Sequence, residues 1–110
     1  MINIYEVLRR SEEGPYIKEN DFDMKLYRTT TRLVKEHGIK FNRDTPVVGD
    51  DAMAKGMFNA GLQLALEMGM LCVSTSRIIQ FSEEELRLAL FTAPKKLTLG
   101  LGRDARVMRA

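Results

Sequence analysis

Apolar positions recur at helical spacing in four stretches of this chain, and between the third and fourth the pattern changes to short runs rich in β-branched residues. In the first stretch Asn3 is placed to cap a helix whose Ile4, Val7 and Leu8 share one side. Glu6, three residues on, can bond back to the cap, and Gly14-Pro15 ends the helix. The second stretch, capped by Asn20 or Asp21, carries Phe22, Leu26, Leu33 and Val34 up to His37 and a Gly38 stop. Thr29, Thr30 and Thr31 give its middle poor helix propensity, so tertiary packing must hold it.

Asp50 and Asp51 begin the third helix, where Met53, Met57, Phe58, Gly61, Leu64, Ala65 and Met68 make a wide apolar stripe. Gly56, Ala60 and Gly61 lie near that stripe and predict a closely packed neighbour. Gly69 supplies a left-handed stop. Residues 70–73 and 77–81 then predict a β-hairpin around a three-residue loop, Ser74-Thr75-Ser76. Neither run alternates cleanly, which predicts cover on both faces, by more protein than 110 residues supply.

The fourth helix has the sharpest local signal. Ser82 and Glu85 form a capping box, Phe81 and Leu86 a hydrophobic staple, and Glu83 to Glu85 place negative charge at the positive end of the helix dipole. The helix runs through Leu86, Ala89, Leu90 and Ala93 and stops before Pro94. A strand-like run over residues 96–99 reaches Gly100-Leu101-Gly102. Beyond it Arg103, Arg106 and Arg109 recur every three residues, so a helical continuation brings them toward one face. The fold class predicted is α+β, mainly helical, in a single 110-residue unit.

Composition narrows the function classes. Leu, Ile, Val and Phe fill 30 positions, enough for a chain that folds. Seventeen basic and fifteen acidic residues leave a net charge of +2, too small a nucleic-acid field by itself, so a nucleic-acid binder stays open only on Arg103, Arg106 and Arg109. Cys72 is the only cysteine, which excludes an intramolecular disulfide and fits a reducing cytoplasm. The chain has neither a signal-peptide pattern nor an apolar run of membrane-spanning length.

Candidate chemistry is sparse. Gly100-x-Gly102 lacks the third glycine of a dinucleotide fingerprint and the Gly-Lys-Ser/Thr of a P-loop, so it reads as a turn. His37, the sole histidine, sits where a donor suits the last carbonyls of its helix. Cys72 has no second cysteine or nearby histidine for zinc or nucleophilic chemistry and reads as a small buried apolar group. The methionines read as core filler, and the carboxylates at helix starts serve the dipole. No catalytic, cofactor or metal residue is assigned; Arg103, Asp104 and Arg106 are the candidate interface.

From Met57 to Ala105 the order of motifs resembles the leading segment of monomethylamine:corrinoid methyltransferases. The matching positions are Phe58-Asn59-Ala60-Gly61, Glu67-Met68-Gly69, Cys72, Arg77-Ile78, Glu83 to Glu85 and Gly100-Leu101-Gly102-Arg103-Asp104-Ala105. Weaker echoes cover Asp21-Phe22-Asp23 and Lys35-Glu36-His37-Gly38. The resemblance implies an N-terminal segment preceding a (β/α)8 barrel that moves a methyl group from monomethylamine to the cobalt of a separate corrinoid protein. It further implies a pyrrolysine in that barrel, no cofactor bound by the present residues, and a structural or assembly role for them. The implied partners are the downstream barrel, the corrinoid protein and further copies of the enzyme, with no membrane. A freestanding, non-catalytic interaction module is the alternative.

Overall fold

The computed structural model describes residues 2–110 as four α-helices and two antiparallel strand pairs. Helix α1 spans Ile4–Glu13. Asn3 caps it by accepting the Glu6 N–H at 3.0 Å, but the Glu6 carboxylate turns forward to Arg9 and Arg10 and forms no capping box. Two guanidinium groups one turn ahead are stronger partners than a single cap N–H. Helix α2 spans Glu19–Glu36 with Lys18 at its N-cap, two residues before the predicted Asn20. Glu19 and Asp21 therefore lie within the first turn, where they complement the dipole instead of capping.

The end of α2 follows the glycine signal. Gly38 has φ +60, its N–H reaches Lys35 O, and the Ile39 N–H reaches Val34 O at 3.0 Å, the two bonds of a Schellman stop. After an irregular link, α3 covers Asp51–Met68, with the Asp50 side chain accepting from the Ala52 N–H at 2.9 Å. Helices α2 and α3 pack together, burying Thr29 and Leu33 from one and Ala60 and Met68 from the other. Thr29 in the weak middle of α2 is thus held by tertiary contact. A Cβ added at Gly56 would meet the His37 carbonyl oxygen at 3.6 Å, an ordinary contact, whereas one at Gly61 would meet nothing within 4 Å, so the close neighbour expected there is absent among the described residues.

Gly69, at φ +64, turns α3 directly into β1, Met70–Cys72, which pairs with β2, Arg77–Ile79. The connection is four residues, 73–76, one longer than the sequence suggested, because Val73 leaves the ladder. Ser76 adopts φ +52, and its carbonyl accepts the Ile17 N–H at 2.9 Å. Residues 15–17 thereby run antiparallel to β2, with Tyr16 bridged to Arg77 and the Ile78 N–H bonded to Pro15 O. Ile78 and Ile79, adjacent and so on opposite faces, are both buried, while Met70 across from Ile79 stays exposed. Two-sided cover holds for β2 alone.

Helix α4, Glu83–Thr92, has the full capping box: Glu85 N–H to Ser82 Oγ, and Ser82 N–H to the Glu85 carboxylate at 2.9 Å. The final element departs from expectation. Strand β3, Lys96–Leu99, is followed by a single 3₁₀ turn at Gly102–Asp104 and by β4, Arg106–Arg109, which pairs back on β3 in the register Lys96↔Arg109 to Leu99↔Arg106. Val107 and Met108 favour an extended chain, and Gly100 at φ +85 lets it reverse beside Asp104. A helix here would forgo that pairing.

Five apolar side chains are buried among the described residues: Leu33, Ala60, Met68, Ile78 and Ile79. The predicted methionine filler is mostly outside, since Met24, Met57, Met70 and Met108 are exposed. Accessible surface totals 9030 Å², against about 6,200 Å² for a compact 12.5 kDa monomer. The radius of gyration is 17.8 Å, where about 13 Å suits a compact chain of this length. The molecule is a slab of 51 × 44 × 24 Å that leaves much of its apolar surface uncovered.

A Cβ built at Gly14 falls 2.1 Å from the Ile78 carbonyl oxygen. Gly14→Ala is therefore expected to cost roughly 2–4 kcal/mol through forced backbone separation. Gly61→Ala, in open space, is expected to be neutral or to stabilise by up to about 1 kcal/mol through helix propensity. Urea unfolding of both variants checks the contrast, and equal midpoints would contradict it.

Candidate functional site

Two surfaces concentrate what this fold leaves unsatisfied. The first lies between α3 and α4, which do not close on one another. A groove of about 440 Å³ opens there, lined by Phe58, Gly61, Leu62 and Ala65 on one side and Leu86, Ala89 and Leu90 on the other. No residue of α4 is buried, so the apolar side predicted for that helix faces this open space.

The second surface is the β3–β4 hairpin, which packs chiefly on itself. Leu97 lies directly opposite Met108, and Leu99 opposite Arg106, so Leu97, Leu99 and Met108 share one face, each at least half exposed. Lys96, Thr98, Val107 and Arg109 form the other. Lys96 and Arg109 are paired across the strands as like charges, and among the described residues neither has an acidic partner within salt-bridge distance.

The candidate interface residues Arg103, Asp104 and Arg106 gather at the tip of this hairpin. Arg103 and Asp104 are in the 3₁₀ turn, and the Arg106 guanidinium donates to the Arg103 and Ala105 carbonyls at 3.2 and 3.0 Å. The single helical face of Arg103, Arg106 and Arg109 does not exist, since an odd spacing in β4 sends Arg106 and Arg109 to opposite sides. The Leu97, Leu99 and Met108 face was missed in the sequence. The Leu97-Thr98-Leu99 alternation was its only signal, because β4 does not alternate.

Holding α4 in place is a charged clamp. The Arg10 guanidinium donates to both Glu85 oxygens, at 2.6 and 2.8 Å, to Glu6 at 2.9 Å and to the Gln80 carbonyl at 2.8 Å. Arg9 adds bonds to Glu6 and Glu13. These guanidinium bonds hold the Glu6 and Glu85 carboxyls at about 2. His37 does not cap carbonyls with its ring as expected; its Nε2 faces Gln63 Oε1 at 3.3 Å across the α2–α3 seam, where Arg32 also bridges Glu36 and Glu67. Cys72 is only half buried, and hydrogen bonding with Thr75 holds its thiol below the usual value.

Among the described residues no group of three His, Cys, Asp or Glu is placed to hold a metal ion, and no buried side-chain polar atom lacks a partner. No described helix is long and apolar enough to cross a membrane. The geometry offers surfaces for contact, the α3–α4 groove and the β3–β4 hairpin.

The family model described as Monomethylamine methyltransferase MtmB matches residues 2–110. The chain belongs to the monomethylamine methyltransferase family. Relatives in that family from Methanosarcina mazei and Methanosarcina acetivorans are each 33% identical over 102 residues, which is 92% of this chain and 22% of theirs. The crystal structure of the Methanosarcina barkeri monomethylamine methyltransferase superposes with a TM-score of 0.88 at 31% identity, covering 96% of this chain and 23% of that one. A second crystal structure, of the hydroxylamine MtmB complex, matches equally. The chain spans about a fifth of the length of these family members, and its four helices and two strand pairs fit an N-terminal segment of them.

The clamp makes a pH prediction. A carboxyl lowered from 4.5 to about 2 in the folded chain contributes stability in full above pH 4.5, and loses it as pH falls toward 2. Urea midpoints should drop across that window, and Glu85→Gln should flatten the drop while lowering the midpoint at pH 7. An unchanged acid limb in Glu85→Gln would show that the clamp does not govern it.

Proposed function

We propose that this chain serves as the scaffold segment of a cytoplasmic monomethylamine methyltransferase. In this reading the methyl group of monomethylamine passes to the cobalt of a corrinoid held by a separate protein, and ammonia leaves. None of the steps falls to residues of this chain. Its part is to form a platform on which the remaining four fifths of the enzyme's length, expected to be a (β/α)8 barrel, is seated and held in its assembly.

Family membership over residues 2–110 supports the reaction class. The uncovered surface supports the scaffold role. The excess over a compact monomer is about 2,800 Å². That is more than three times the ~800 Å² per partner of a standard protein interface, and in the range of obligate contacts. A slab with five buried apolar side chains and an open groove along α4 has the character of a domain core divided in two.

Two measurements test the proposal. Mixed with monomethylamine and a Co(I) corrinoid protein, the chain alone should leave the Co(I) spectrum unchanged; methyl-Co(III) formation would place chemistry in this segment and refute the scaffold role. Joined in front of the remaining four fifths of the Methanosarcina barkeri relative, it should support methyl transfer, and an unrelated helical domain of similar length should not.

A further inference from the structure

We infer that the β3–β4 hairpin is the docking element of this segment, and that its seat is an apolar surface bordered by carboxylates on the remaining four fifths of the family polypeptide. The inference rests on the scaffold reading above and specifies which surface makes the contact and what it meets.

Three observations carry it. The hairpin presents Leu97, Leu99 and Met108 side by side at 53%, 50% and 59% exposure, and its principal packing is of β3 on β4. An isolated two-stranded ribbon is marginal in water, and this one packs mainly on itself. It is nevertheless geometrically specified: Gly100 turns at φ +85, and a Cβ added there would fall 2.7 Å from the Asp104 carbonyl oxygen. A ribbon so shaped and so uncovered gains its stability from another surface.

Charge identifies the kind of surface. Five of the 17 cationic residues and only one of the 15 acidic ones lie in residues 94–110, so the hairpin region carries +4 and the rest of the chain −2. Lys96 and Arg109 directly oppose one another across the strands, an arrangement that destabilises a free hairpin and is relieved when carboxylates lie alongside. Arg106 flanks the apolar face opposite Leu99. The partner surface therefore combines an apolar patch with an acidic margin.

The size of the uncovered area and the length of the relatives choose the occupant. A second copy meeting this chain through a standard interface would cover ~800 Å² of the roughly 2,800 Å² excess. In the solved relative the same fold, at a TM-score of 0.88, accounts for 23% of the polypeptide, so most of that chain is available to cover it.

The test uses the whole 110-residue chain and, as a separate polypeptide, the Methanosarcina barkeri relative without its matching fifth, with affinity measured by titration calorimetry at low and high salt. Binding should weaken at least tenfold in Leu97→Asp and Met108→Asp. Lys96→Glu is the decisive variant, because it places opposite charges across the ribbon and steadies the free hairpin while removing half of the cationic pair. It should bind about tenfold more weakly at low salt and lose salt dependence, with circular dichroism unchanged.

Unaltered binding in Leu97→Asp and Met108→Asp, with loss in Ala89→Asp, would move the seat to the α3–α4 groove and overturn the hairpin while leaving the scaffold reading intact. Concentration-dependent dimerisation of the chain that Leu97→Asp abolishes would make the occupant a second copy and overturn the inference. Absence of any binding by the unmodified chain would overturn the scaffold reading itself.

Discussion

At the C-terminus of α1 two backbones touch with no side chain between them, and the arrangement of the rest follows from that contact. Gly14 leaves its helix against the Ile78 carbonyl, Pro15 accepts from the Ile78 N–H, Ile17 donates to the Ser76 carbonyl just before β2, and Arg77 Nη1 donates to the Gly14 carbonyl at 2.7 Å. The Thr75 hydroxyl adds a bond to the Ser11 carbonyl at 2.5 Å. From this joint β1 leads back into α3 through Gly69, and Arg10 reaches forward to the start of α4. Four elements are thus positioned by polar bonds in a protein with few apolar contacts.

That balance is unusual for a chain with ordinary apolar content. The apolar residues exist; they are not turned toward one another. Helices α2 and α3 share a narrow seam, α1 packs on β2, and α4 is held at its N-terminus by Arg10 and Glu85 while its apolar side stands open. Hydrogen bonds and ion pairs define angles between elements well, but they contribute modestly to net stability. Orientation is supplied locally, and cohesion must come from what the open faces meet.

Local rules with one dominant solution were legible in the sequence. Ser82 with Glu85, Asp50 before α3 and Gly38 each do what their residue type dictates at a helix end, whereas Gly69 stops α3 at φ +64 but with ψ −154, outside the left-handed helical region expected. Where two local solutions compete, tertiary geometry decided. Asn20 and Asp21 could cap or sit in a first turn, and the bridge of residues 15–17 to β2 started the helix before them. Arg103, Arg106 and Arg109 fit a helix by spacing, but Val107 and Met108 pair with Thr98 and Leu97. The inward or outward direction of the methionines was not legible at all, because helical periodicity shows that a face is apolar and says nothing about what covers it. For the same reason the Leu97, Leu99 and Met108 face became visible only with the strand register.

The α1–β2 joint also sets a schedule for the growing polypeptide. Its two sides are separated by 64 positions, Gly14 to Ile78, and its charged clamp by 75, Arg10 to Glu85. At ribosomal speeds of about 5–20 residues per second, the first helix waits roughly 4–15 s after its own synthesis before its partners exist. During that interval the Asn3 cap and the pairs of Glu6 with Arg9 and Arg10 and of Arg9 with Glu13 can keep it helical. A short helix rich in side-chain ion pairs suits a segment that must remain in shape, alone and in water, until the strand that anchors it has been translated.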